Sequence, residues 1–209
     1  MKFTTLQPPM FTSKGQDSTR EDAIGKGLWI ATVNLWLVTE NNGGSLIYQR
    51  RSKNKAWAPG KLDVAIGGKV DAGEKIETAL IREAKEELQL EVDPAELTFL
   101  GKNLHVGIAE TKFVNTVMHI YITSTTKDPA RLKFNAEEID SMLEIPVSEL
   151  LKVHTEDSYK LEAKALHADG SEELLQVDKT SFPESWDNYH YKMARIAGKF
   201  YKGETGLYY

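Results

Sequence analysis

The sequence predicts an α/β or α+β layered domain. Short apolar runs of strand character interleave with amphipathic helical stretches, the connections between them are short, and no internal repeat or low-complexity segment breaks the pattern. A length of 209 residues suits one domain with additions, and 41% hydrophobic residues supply a sizeable core. Charged residues, 27% of the chain and mixed in sign, argue against wholesale disorder.

Residues 1–26 are polar and carry Pro8, Pro9, Gly15 and Gly25, which reads as a partly ordered N-terminal arm. Leu28 to Thr39 is rich in Trp, Val, Ile and Leu, as a strand buried on both faces should be. Asn41-Asn42-Gly43-Gly44 signals a turn, and Ser45 to Arg51 reads as the returning strand of a hairpin. Ser52 to Lys61, with Pro59-Gly60, is a loop, and Leu62 to Ile66 is a short strand. Gly67-Gly68 and Asp71-Ala72-Gly73 then flank a tight connection. Glu77 to Leu88 has helical spacing, with Ile76, Leu80, Ala84 and Leu88 on one apolar stripe. Leu97 to Val106 and Lys112 to Thr123 read as strands, Lys127 to Asn135 as a loop, and Glu144 to Leu150 as a strand end entering a helix. In the tail, Tyr159 to Leu166 and Glu173 to Val177 straddle Asp169-Gly170 as a hairpin, and Trp186 to Tyr201 has an amphipathic pattern.

Composition narrows the function. A formal net charge of −5 without a long basic run disfavours a nucleic-acid polymer as partner, while leaving a small nucleotide open. The absence of cysteine excludes a disulfide framework, a thiolate zinc site and a cysteine nucleophile, and fits the cytoplasm. Met1 to Gln16 does not read as a signal peptide, and no apolar run approaches the roughly 20 residues that span a bilayer, so no membrane role is expected.

The chemistry concentrates between Gly68 and Leu90. On a helix, Glu83 and Glu87 share a face, with Glu86 beside them. Carboxylates crowded in this way repel unless something positive compensates, and a hard cation bound by oxygen ligands does so. The opposite apolar stripe lets the helix bury one side and present its acids to a cleft. The Gly67-Gly68 pair permits close approach of a ligand, and the Gly67 carbonyl adds a further oxygen. Taken alone, such a run is most simply a solvated charged face, and only the full spacing argues otherwise.

That spacing is Gly-x5-Glu-x7-Arg-Glu-x-x-Glu-Glu, carried by Gly68, Glu74, Arg82, Glu83, Glu86 and Glu87, and it resembles the Nudix box. The sequence departs from the box at Gln89, where the family has glycine, and Leu90 fills the closing apolar position. The resemblance implies an α/β/α sandwich with a mixed β-sheet: a Nudix hydrolase domain over 27–152, the N-terminal arm at 1–26 and a C-terminal extension at 153–209. It also implies a hydrolase that cleaves a diphosphate linkage by attack of water at phosphorus, with magnesium, or manganese in its place, as cofactor. By resemblance the metal ligands are Gly67, Glu83, Glu86 and Glu87, and Glu74 pairs with Arg82 as a structural brace. Glu138, in the later loop beside Glu137, is the candidate base, although a solvated loop carboxylate reads as well. Arg51, in Gln49-Arg50-Arg51, and Lys69 are candidate substrate contacts, each with a surface cation as its plain alternative. Trp57 is the tryptophan placed to touch a substrate; Trp29 and Trp36 read as core or rim. No two of the 5 histidines have metal-ligand spacing, and His119 reads as a packed strand residue.

Two alternatives compete. Arg51 to Lys55 through Pro59-Gly60 also resembles the Nudix subgroup that includes isopentenyl diphosphate isomerase. That reaction needs a catalytic cysteine near Asp63-Val64-Ala65-Ile66 and a glutamate within the stretch matching Phe113 to His119, and both are missing. A non-catalytic nucleotide-binding module usually loses box carboxylates, and all are present here. A tail with Trp186, Tyr189, Tyr191 and Tyr201 leaves a homodimer open.

Overall fold

A computed structural model of the chain describes residues 2–7, 12–109, 112–128 and 132–209. Pro8 and Pro9 of the expected arm, and part of the expected loop at 127–135, lie outside the described residues. The centre of the fold is β3 (Trp29–Thr39), whose residues are almost continuously buried. It pairs in parallel with β8 (Lys112–Ser124) along Trp29 to Val38. Its other edge is shared out along its length. β1 (Lys2–Gln7) takes Trp29 and Ile30, β6 (Ile66–Lys69) takes Thr32 to Leu35, and β4 (Ser45–Arg51) takes only Val38 and Thr39. Beyond the hairpin turn β3 and β4 therefore splay, and β5 (Leu62–Val64) fills the gap on β4.

The segment read as one strand over Leu62 to Ile66 is thus two, broken at Ala65 as the chain passes from β4 to β3. Gly67 and Gly68, expected to flank a tight connection, do so from within β6, opposite Asn34 and Val33. The reason is edge competition: with β4 diverging, β3 presents unpaired backbone groups, and a strand that satisfies them outweighs the turn preference of glycine. The same pull acts on the segment read as an arm, which carries β1, β2 (Thr12–Thr19) and α1 (Arg20–Gly25), with β1 joined to β3.

The sheet continues on the far side of β4 through β9 (Ile139–Pro146), β10 (Leu161–Leu166) and β11 (Glu172–Val177), while β7 (Thr98–Ala109) pairs with β8. Both parallel and antiparallel pairs occur, so the sheet is mixed. Alternation along β3 feeds two cores. Val33, Leu35 and Leu37 face α2 (Ile76–Leu88) and its buried Leu80, Ala84 and Leu88. Trp36 and Val38 face α3 (Val147–Thr155) and α4 (Tyr189–Tyr201), through Leu150, Val153, Met193 and Ala197. Helices on both faces make this an α/β/α sandwich. Buried apolar area of this kind stabilises a domain by about 25 cal/mol per Å².

Helix α2 starts at Ile76 and stops at Gln89, which adopts a left-handed conformation (φ 48°, ψ 34°) and donates its amide to the Ala84 and Lys85 carbonyls. The expected tail helix begins later than Trp186, at Tyr189, because Asn188 is left-handed (φ 57°). Tyr189 is buried in the chain's own core, whereas Trp186 is 78% exposed. Tail aromatics therefore argue for a dimer less than their number alone does. Among the described residues no helix is long and apolar enough to cross a membrane.

Candidate active site

The acidic face of α2 meets β6, and Arg82 is the hub of the contact. Its Nε donates to Glu74 Oε1 at 3.0 Å and its Nη2 to Glu74 Oε2 at 2.9 Å, a two-pronged grip that suits a planar guanidinium. Nη2 also donates to the Lys69 carbonyl at 2.9 Å, while Nη1 reaches Glu83 at 2.9 Å and Glu86 at 3.2 Å. Glu74 accepts from the Asp71 amide in addition, which closes the loop between β6 and α2. The Arg82 hydrogen bonds hold the Glu74 carboxyl below its ordinary range.

Gly68 is required by close approach rather than by backbone angle. A Cβ there would lie 1.9 Å from Glu83 Cδ, so only hydrogen leaves the Glu83 side chain its place. Burial pushes the Glu83 carboxyl up, against the pull of Arg82. Glu87 is more perturbed. Its Oε2 accepts from the Gly67 amide at 3.0 Å, yet desolvation, with Glu83 and Glu138 adding negative charge, pushes it up to about 8. The contact at Gly67 is thus made by its amide, and the Gly67 carbonyl was the predicted ligand.

Among the described residues no group of three or more acidic or histidine side chains is arranged to hold a metal ion. The expected set of Glu83, Glu86 and Glu87 shares one helix face, but Arg82 occupies Glu83 and Glu86, and Glu86 is largely exposed. The donor chemistry nonetheless fits a hard divalent cation. Glu87 is a carboxylate that burial, with the negative charge of Glu83 and Glu138 beside it, makes costly to ionise, and a cation on its oxygens would offset that cost.

A cavity of about 280 Å³ opens against Gly67, Gly68, Lys69 and Glu87. Arg51 and Trp57 also line it. Arg51 is not a loose surface cation: it bonds Asp63 at 3.2 Å and the Trp57 carbonyl at 3.1 Å, and its guanidinium lies 4.9 Å over the Trp57 ring. Glu138 does not reach the cavity wall. It is exposed and paired with Lys55 at 3.0 Å, and Lys55 does line the cavity. His119 is buried, with Nδ1 3.2 Å from the Thr32 carbonyl.

Several lining residues carried no signal in the sequence. Asn34, Asp63, His105 and the segment from Pro183 to His190 come from four separate parts of the chain. Asp63 is buried, and only its partner Arg51 was marked by position.

With this geometry in hand, the chain can be set against known proteins. Residues 30–165 match the NUDIX domain. The chain belongs to the Nudix family. This Nudix chain is 31% identical over 138 residues to an uncharacterized Nudix hydrolase of Clostridium acetobutylicum, a match covering 64% of this chain and 65% of that protein. It is 45% identical over 64 residues to a Nudix hydrolase of Deinococcus radiodurans, covering 31% and 36% of the two chains. Both matches span less than two thirds of the relative's length. A crystal structure from Deinococcus radiodurans superposes with a TM-score of 0.54 at 24% identity, covering 72% of this chain and 86% of that one, which shows the Nudix fold. In Nudix terms Glu74 and Arg82 tie the box loop to the box helix, and Gln89 keeps a left-handed turn where the box has glycine.

Proposed function

We propose that this chain is a Nudix hydrolase that cleaves a diphosphate linkage in a small phosphorylated metabolite. The observation that carries the reading is the site of Glu87: a desolvated carboxylate, costly to ionise, fixed by the Gly67 amide, on the wall of a cavity. Glu83, Glu86 and Glu87 would hold a magnesium or manganese ion. Bound there, such an ion neutralises the diphosphate and acidifies a water. The chain's own groups do the rest. The Glu74–Arg82 brace fixes Glu83 against Gly68, which lines the cavity. Lys69, with Arg51 held against Asp63 and Trp57, meets the anionic substrate. Water adds its oxygen to phosphorus as the bridging P–O bond breaks, its proton passes to a carboxylate, and the leaving phosphate keeps the bridging oxygen. Glu138, held by Lys55 near Glu87, is the proposed acceptor of that proton. On this reading residues 27–152 perform the reaction and the flanking segments select the substrate.

The deciding experiment is a magnesium-dependent hydrolysis screen over diphosphate compounds, with products identified by mass and Glu87→Gln as control. Turnover of one class that the control loses supports the reading. Silence on every diphosphate while isopentenyl diphosphate is isomerised would overturn it. Sedimentation of the same sample tests the homodimer.

A further inference from the structure

Past α4 the chain doubles back. Gly203, in a left-handed conformation (φ 74°), donates its amide to the Phe200 carbonyl at 2.9 Å, and the Glu204 amide reaches the Lys199 carbonyl at 3.1 Å, which closes the helix. Leu207 then packs on the core beneath α3 and α4, and the Tyr209 amide donates to the Leu100 carbonyl of β7 at 2.8 Å. The tail thereby crosses from α4 to a strand whose Asn103 and His105 line the cavity.

Tyr209 ends that crossing as a junction. Its hydroxyl accepts from Asn103 Nδ2 at 3.0 Å and donates to Asp187 Oδ2. Its ring lies 5.5 Å from the Tyr189 ring and 4.8 Å beneath the Lys192 ammonium. Lys192 also pairs with Asp187 at 3.2 Å. Tyr209 does not itself line the cavity, but Asn103 and Tyr189 do, as do Pro183, Glu184 and Ser185 in the segment that leads to Asp187.

That segment has little backbone support. Phe182 and Tyr189, both buried, fix its ends, but among the described residues no amide from Glu184 to Asp187 donates to a backbone carbonyl. The Asn188 amide reaches the Ser185 carbonyl at 3.4 Å and the Tyr189 amide reaches Ser185 Oγ at 2.8 Å, both within the same stretch. Trp186 Nε1 reaches the Leu104 carbonyl only at 3.4 Å, from a largely exposed ring. Asp187 is the firm anchor. Its side chain is 3% exposed, its Oδ1 has no hydrogen-bond partner among the described residues, and both of its bonds fall on Oδ2. Lys192 belongs to α4, the helix that the segment enters, so that pair is local. Among the described residues only Tyr209 ties Asp187 to β7. Burial pushes the Tyr209 hydroxyl up, with the Asp187 bond adding to the shift, so it keeps the proton it donates.

We propose that Tyr209 is a positioning residue of the cavity: its hydroxyl, shared between Asn103 and Asp187, fixes the wall from Pro183 to Tyr189 against β7. The tail thereby sets the shape of the cavity from outside it. Only the effect on turnover rests on the proposed hydrolase reading. Phenylalanine at this position keeps the ring contacts with Tyr189 and Lys192 and the backbone bond to Leu100, while Asn103 loses its acceptor and Asp187 is left to Lys192 alone.

The test compares Tyr209→Phe with the native full chain by amide hydrogen exchange, with Tyr208→Phe, at an 81% exposed neighbour, as control. The Asn188 and Tyr189 amides should exchange about tenfold faster in Tyr209→Phe, the effect of one lost hydrogen bond to a charged group. The Trp186 indole resonance should move with them. Amides of β3 and the Gly67 amide should keep their native rates. Uniform acceleration that includes β3 would mark Tyr209 as a stabilising contact alone and overturn the proposal. Native rates at Asn188 and Tyr189, or an equal effect from Tyr208→Phe, would overturn it too. For any diphosphate turned over in the hydrolysis screen, Tyr209→Phe should raise KM about three- to tenfold with kcat within about twofold, and an unchanged KM would count against it. Exchange is read without turnover, so localised acceleration in a chain that hydrolyses nothing would sink the hydrolase reading alone. Native exchange in a chain that does hydrolyse would sink only the role of Tyr209.

Discussion

Replacing Glu87 by Gln removes a carboxyl whose ionisation the fold opposes, so in chelator the variant should melt higher than the native chain. The Gly67 amide keeps its acceptor, because the glutamine carbonyl can take the same hydrogen bond. What disappears is the cost of holding that carboxyl protonated at neutral pH. With the Glu87 carboxyl pushed up to about 8, the folded chain binds a proton that the unfolded chain releases near its ordinary value of about 4.3. The sign follows. Below the unfolded value both states are protonated and nothing is lost; stability then falls as pH rises, until the folded group also ionises near 8. At pH ~7 the full linkage cost would approach ~3.5 kcal/mol. Relaxation of the site and water reaching the carboxylate reduce it to ~1–2 kcal/mol. For a chain of this length that is about 3–6 °C in melting temperature. The assay is calorimetry of both proteins in chelator across pH 5–9, with the gap widening toward alkaline pH. A lower melting temperature for Glu87→Gln, or a gap independent of pH, would refute the reasoning. Added magnesium should reverse the order, since cation binding stabilises only the native chain.

Arg82→Ala strips Glu74 and Glu83 of their partner and should cost ~2–4 kcal/mol, read as a melting temperature lower by about 5–10 °C, along with turnover. Arg82→Lys should recover only part of either, since an ammonium cannot reproduce the two-pronged grip; full recovery of both would count against the brace. Gly68→Ala should separate stability from activity. The atom that its Cβ meets is the far end of the Glu83 side chain, which can swing aside, so melting should change little while hydrolysis falls at least about tenfold in a kinetic assay. Gln89→Gly should raise stability by ~1 kcal/mol in denaturant titration, because a left-handed residue with a Cβ is strained and glycine is not; a loss of stability would refute that account of the helix stop.

The box was legible because its chemistry is local. Glu83, Glu86 and Glu87 lie within one helical turn, so spacing alone placed them together, while the pairing of Glu74 with Arg82 across one loop was implied by the resemblance to the Nudix box. The helix itself was equally plain, since Leu80, Ala84 and Leu88 repeat at its period and are buried. Reading failed where the partner was distant. Nothing near Gly67 announces that β3 has a vacant edge for it, and nothing in Pro183 to His190 announces that it will line a cavity beside β6. Glu138 illustrates the intermediate case. Its loop was identified, yet its ion pair with Lys55 depends on a second loop, tied to it by the Ser52 amide donating to the Glu138 carbonyl.

The hydrogen bond from Gly67 to Glu87 gives the molecule a built-in indicator. Most amides in a sheet report only on the sheet, because their acceptors are other backbone carbonyls. This one points to a carboxylate at the centre of the proposed chemistry. Its proton resonance should therefore respond to the charge on that carboxylate, moving as Glu87 gains or loses a proton and again as a cation draws on its oxygens. A single peak in a nitrogen–proton spectrum would then record the occupancy of the site in solution, without a label, a substrate or a turnover.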